Sequence, residues 1–237
     1  MSKISDNHGK FLAKFGSPDI QDNMVNSKEP TTREAIAKNG TDEHRDQLID
    51  DDDPSVRNIV AEKGNNEQRS KLLAKPDLEV STAGRIASHG TDEHREILSK
   101  HPLISDKRLA STVLSHGKKS VFDTLINHPE KSVRQRVAKY GNDEHRDKLV
   151  HDPSPEVRSS VAEFGKERHH DILMNDPDPS VRETVADYGS EKHMTHLKTD
   201  KNSSVMMAAS NQWKPEKHNV MPLRESIFKR INKLVRK

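Results

Sequence analysis

At 237 residues the chain is long enough for one large or two ordinary domains, yet it is 30% hydrophobic, 3% aromatic and 33% charged, with a net charge of +2. So little apolar material falls short of a conventional globular core, and so small a net charge excludes charge-driven disorder; a row of short helices, each burying one narrow stripe, satisfies both constraints. The absence of cysteine rules out a disulfide framework, a thiolate metal site and a cysteine nucleophile. No apolar run reaches signal-peptide or membrane-span length, so a soluble, cytoplasmic protein with no membrane span is expected.

Residues 1–8 are polar and are expected to form a frayed start or a cap. A repeat begins almost at once. Gly16, Gly40, Gly64, Gly90, Gly117, Gly141, Gly165 and Gly189 follow one another at intervals of 24, 24, 26, 27, 24, 24 and 24, and only Gly9 and Gly84 fall outside the series. Other columns keep the same phase. Eight residues after the glycines stand Met24, Leu48, Leu72, Leu98, Leu125, Leu149, Leu173 and Leu197, and pairs such as Val60-Ala61, Val137-Ala138 and Val161-Ala162 precede them. Val157 and Val161 are four apart, so they share one helix face and form the buried stripe. Each unit should therefore hold two helices. Asp53-Pro54, Asp152-Pro153 and Asp176-Pro177 are expected to open the first helix, the acid as cap. The glycine should close it in a left-handed conformation. Thr41, Thr91 or Asn142 should then cap the second. Helices of ~8–10 residues are too short to stand alone, so neighbours must stack.

The run DPSPEVRSSVAEFG, residues 152–165, recurring at 24 residues, resembles the leucine-rich-repeat variant, a relative of HEAT-like repeats, through Asp-Pro, Val-Arg, Val-Ala, a break and a following Leu. The resemblance covers roughly residues 8 to 213. It implies an all-α, right-handed α-solenoid of about eight or nine short two-helix repeats and says little about function. One departure is that a glycine replaces the family's usual Asn-Pro break. HEAT repeats proper are the near alternative, although a 24-residue period is short for them. The expected organisation is a solenoid over 1–213, then a degenerate last repeat and a basic amphipathic helix over 214–237.

The spacings of 26 and 27 make the middle of the array its most irregular part, where Val121-Phe122 replaces the usual His-Arg. Drift absorbed by loop length is the simple reading; the sharper one is an exposed apolar contact patch that includes Phe122. Trp213 sits where the next glycine would be and suits a cap over the last repeat, or a partner anchor. From Leu223 the chain carries six cations and one acid, +5, leaving the remainder near −3. This closing stretch, with Lys229, Arg230 and Lys233, is read first as a terminal cap, then as a protein- or nucleic-acid-binding tail, and last as a membrane-surface attachment.

Two columns bear on chemistry. Arg33, Arg57, Arg134, Arg158 and Arg182 all lie seven before a glycine. Stacking would set neighbouring members ~10 Å apart along one edge, as a ladder paired with acids such as Asp152 and Asp176 or as a cationic edge for phosphates or an acidic protein. His44, His94, His145, His169, His193 and His218 form the second column. Ligands one repeat apart do not converge on one metal ion, and no HExxH pattern occurs, so these histidines are expected to hydrogen-bond between helices. Phosphate loops, nucleophile elbows and dinucleotide fingerprints are all missing from the sequence. The expectation is a non-enzymatic, cofactor-free scaffold that binds another protein through its extended surface, with no small-molecule substrate evident. The alternative is a nucleic-acid binder that uses the Arg edge and the tail.

Overall fold

A computed structural model describes residues 2–210. Trp213, Lys229, Arg230, Lys233 and the expected terminal helix of 214–237 lie outside the described residues, as does the expected boundary at 213/214. The described chain is all-helical. First helices α1 (Ser2–Phe15), α3 (Pro30–Asn39), α5 (Pro54–Lys63), α7 (Val80–His89), α9 (Lys107–His116), α11 (Lys131–Tyr140), α13 (Pro155–Phe164) and α15 (Pro179–Tyr188) alternate with second helices. These are α2 (Pro18–Asp22), α4 (Asp42–Gln47), α6 (Asn66–Leu73), α8 (Asp92–Lys100), α10 (Lys119–Leu125), α12 (Asp143–Leu149), α14 (Glu167–Leu173) and α16 (Glu191–Leu197). A lone first helix, α17 (Ser203–Ser210), follows, and a 3₁₀ turn, Pro102–Ser105, fills the longest spacing.

The chain divides into two compact units after Thr124. Within the first, α1, α3, α5, α7 and α9 pack in succession; within the second, α11, α13, α15 and α17 do the same. Second helices flank these rows. The stripe expected from the sequence is the core: Val56, Val60, Ala61 and Leu72 in one repeat and Val157, Val161, Ala162 and Leu173 in another are at most 1% exposed. Burial of such stripes against the neighbouring repeat holds helices that are individually too short to persist.

The helix ends depart from expectation in two ways. The glycines are not left-handed: Gly40, Gly64 and Gly90 have φ of −77°, −69° and −84° with ψ near 180°. Glycine is needed there for space. A Cβ on Gly90 would lie 2.5 Å from the Ile86 carbonyl oxygen and 2.8 Å from Nδ1 of His94. The second departure concerns the acids. Asp53 caps α5, its side chain accepting from the Ser55 N–H at 2.8 Å. Asp152 and Asp176 instead lie two residues before the caps Ser154 and Asp178, where each carboxylate accepts the N–H of that cap at 2.9 Å.

Candidate functional site

Three side-chain systems recur with the repeat. The first is the Arg column. Arg134, Arg158 and Arg182 each grip an aspartate eighteen residues on, with both Nε and Nη2 donating: to Asp152 at 2.7 and 2.9 Å, to Asp176 at 2.7 and 2.8 Å, to Asp200 at 2.7 and 2.9 Å. The remaining Nη1 donates to a carbonyl of the preceding turn, His128, Asp152 and Asp176 in order. Arg33 makes the same pair with Asp51 at 2.6 and 2.8 Å. Each pair spans two repeats and is largely buried, side-chain exposures being 12% for Arg158 and 3% for Asp176. The aspartate hydrogen bonds raise the pKa of all four arginines, and Arg182 in turn lowers that of Asp200. Arg57 differs: its Nη1 donates to the Asp51 carbonyl at 2.5 Å, and its Nη2 only approaches Glu79 at 3.5 Å. The five arginines that the sequence marks are thus engaged within the fold.

The second system is the His column, which crowds five of the repeat glycines. His44, His94, His145, His169 and His193 occupy the third position of a second helix and are at most 4% exposed. In each, Nδ1 accepts the backbone N–H of the helix cap, from Thr41, Thr91, Asn142 and Ser190 at 2.9 Å and from Lys166 at 2.8 Å. This is a capping box in which imidazole replaces the usual Glu or Gln. Gln68 fills the same place with Oε1 at 2.9 Å. An accepting Nδ1 requires the proton on Nε2, which donates to the preceding repeat: His44 to Asp22 at 2.7 Å, His169 to Asp147 at 2.9 Å, His193 to Asp171 at 2.8 Å. Burial, the largest influence, lowers the pKa of His94 and, despite its Asp147 partner, that of His169. The next residue is as regular, and sequence reasoning missed its role. Arg45, Arg69, Arg95 and Arg146 donate Nε to the Ala37, Ala61, Ala87 and Ala138 carbonyls at 2.8–2.9 Å, closing the first helix of their own repeat. The His-Arg dipeptide therefore starts one helix and finishes another. Phe122, expected in an exposed apolar patch, is instead 3% exposed, because Val121-Phe122 fills this buried slot with apolar side chains.

With both columns spent on the fold, one surface that remains exposed is the face at the ends of the first helices. In residues 125–210 this face carries a third periodic feature. Tyr140, Phe164 and Tyr188 each stand immediately before a glycine, 24 residues apart, at the ends of α11, α13 and α15. Tyr140 is 48% and Tyr188 36% exposed. An open groove between α11 and α13 is lined by Arg136, Lys139, Tyr140, Ser160, Glu163 and Phe164 among others. The Lys139 ammonium lies 5.2 Å from the Tyr140 ring centre and 5.1 Å from that of Phe164. Among the described residues no three His, Cys, Asp or Glu side chains converge as a metal site, and no helix is long and apolar enough to cross a membrane.

Two-helix repeats stacked in succession within each unit define an α-helical repeat protein. In fold the chain is similar to a solved leucine-rich repeat variant with a novel repetitive structural motif, at a TM-score of 0.71 and 22% identity over 86% of this chain and 82% of that one. An engineered protein aligns over 89% of this chain at a TM-score of 0.34 and 14% identity, covering 84% of its own length. A designed armadillo repeat protein aligns over 82% at 0.24 and 18%, covering 97% of its own. No protein family and no curated protein matches the sequence.

Proposed function

We propose that the chain is a non-enzymatic scaffold that grips another protein along the open face of its first helices in residues 125–210. The observation that carries this reading is the aromatic row Tyr140–Phe164–Tyr188, exposed at both tyrosines and half-buried at Phe164, beside the α11–α13 groove. Large aromatic side chains held on rigid helices anchor interfaces, whereas a repeat that only had to fold would gain nothing from leaving them in water. The Arg column supports the face indirectly, by fixing the spacing of the helices that present it. A nucleic acid is the second reading. It draws on the +5 charge of residues 223–237 and not on the Arg column, whose guanidiniums are already paired with carboxylates.

Photo-crosslinking in source cells tests the proposal. A benzophenone amino acid at Tyr188 should capture a discrete protein that survives nuclease treatment, while the same probe at Glu167, on a second helix, should not. Equal capture at both positions, or material that vanishes with nuclease, would overturn the reading.

A further inference from the structure

The three aromatic residues enclose two intervals, one between Tyr140 and Phe164 and one between Phe164 and Tyr188. The intervals are equivalent in backbone, because α11, α13 and α15 repeat at 24 residues and pack in succession. They differ in the residue two before each glycine. In the first interval that residue is Lys139, whose ammonium lies within cation–π distance of both rings. In the second it is Glu163, which borders the first groove as well and whose charge reaches Tyr188, followed one repeat on by Asp187; both are exposed. No cation of the described chain lies over Tyr188, whose pKa is raised by burial first and then by the charges of Glu163 and Asp187. The first interval thus shows what a pair of such rings accepts, and the second has an equivalent pair with carboxylates at the sequence positions that match Lys139.

We infer that the interval between Phe164 and Tyr188 is a pocket for an arginine or lysine side chain of a partner protein, the guest cation lying against the rings and paired with Glu163 and Asp187. Arginine is the better guest, since its planar guanidinium both stacks on a ring and forks onto a carboxylate. Charge order along the face supports one direction of binding. Arg136 and Lys139 make the α11 end basic, while Glu183 and Asp187 make the α15 end acidic. A segment with its arginine over α15 and an acid over α11 meets opposite charge at both ends. The inference rests on the scaffold reading and narrows it to a partner chemistry.

The test uses the full chain and a fluorescein-labelled arginine–serine repeat peptide, with citrulline and glutamate versions of the same length. The expected result is saturable, one-to-one binding of the arginine peptide only. Tyr188→Ala should weaken it about tenfold and Tyr188→Phe should not, since the ring supplies the contact. Glu163→Lys should abolish binding by placing a cation of the chain in the second interval, whereas Glu167→Lys, with the same charge change on a second helix, should leave it within about twofold. Lys139→Glu should empty the first interval and raise the stoichiometry to two. No saturable binding of the arginine peptide, or binding indifferent to Glu163→Lys, overturns the inference. Binding of the citrulline or glutamate peptide in a Tyr188-dependent way also overturns it, while leaving the scaffold reading in place. Circular dichroism of each variant separates lost binding from lost fold.

Discussion

Residues 125–210 and residues 2–124 share one repeat but hold it together differently. The second region has three consecutive Arg–Asp rungs, Arg134–Asp152, Arg158–Asp176 and Arg182–Asp200. Among the described residues the first has one, Arg33–Asp51. The cause is visible in the spacing. Two extra residues before Gly90 leave Lys75 eighteen residues after Arg57, while Asp77, which keeps the acid's phase before Gly90, is exposed. The next two Arg positions are Ala83 and Ala110, and there the packing is apolar, with Leu109, Val113, Leu114, Val121 and Phe122 at most 3% exposed. A rung needs both partners and an uninterrupted path between them; a hydrophobic stripe needs only its phase. Because a buried ion pair gains little over well-packed apolar groups, the difference assigns the ladder to register and the stripe to stability.

The largest expected effect is the loss of one rung partner. Arg158→Met leaves Asp176 buried without its cation and should cost about 3 kcal/mol in denaturant unfolding. Arg57→Met, which removes carbonyl hydrogen bonds but no carboxylate pair, should cost about half as much. The double variant Arg158→Met/Asp176→Leu should recover at least about 1 kcal/mol of the single loss; a double variant as unstable as the single would show that the ladder supplies stability after all. Next comes the glycine column, where both tests fall on α7. Gly90→Ala forces a methyl group against the Ile86 carbonyl and the His94 ring and should cost about 1–3 kcal/mol, read as a lowered melting temperature.

A smaller effect is set by pH. Burial holds His94, His169 and His170 below the ordinary 6.5. As pH falls below 6.5 the unfolded chain takes up protons that the folded chain refuses, so stability present at neutral pH is lost down to the folded pKa values and then levels off. Denaturation midpoints at about pH 7.5 and about 5.5 should show this fall, and His169→Gln, which copies Gln68, should flatten it. Smallest, and of opposite sign, is Gly84→Ala: mid-helix, with nothing within 4 Å of an added Cβ, it should raise stability by about 0.5–1 kcal/mol.

The repeat and its two-helix content were legible because glycine, leucine and valine columns keep phase in one dimension. The caps Thr41, Thr91 and Asn142 were legible too, since capping is local. The purpose of the glycines was not: Gly90 closes a helix in sequence, but its need for a hydrogen comes from the Ile86 carbonyl behind it and from the His94 ring that folds back over it. The difference between Asp53 as a cap and Asp152 as a rung was hidden for the same reason, since a cap is read two residues away and a rung eighteen. Phe122 showed the limit of pattern alone: an apolar residue in a polar column can mark a patch or a buried slot, and only the burial of Arg95 and Arg146 in that slot tells which. The aromatic row lay in the sequence from the start, one residue before Gly141, Gly165 and Gly189, but a single column at the helix ends, outside the buried stripe, adds nothing to the helical hydrophobic period.

The reach of the rungs bears on how such a chain can grow. Arg-to-Asp links span 18 residues and the His-to-Asp links 22, both within the 24-residue period. Tandem duplication of any 24-residue stretch in the regular region, wherever its ends fall, regenerates every link, because each side chain meets an identical partner one copy on. A gain of two residues does the opposite and takes the aspartate rung partner from an arginine, as it does at Arg57. The ladder thus makes whole-copy duplication nearly neutral and partial insertion costly, a bias toward arrays that lengthen in steps of 24 and keep their phase.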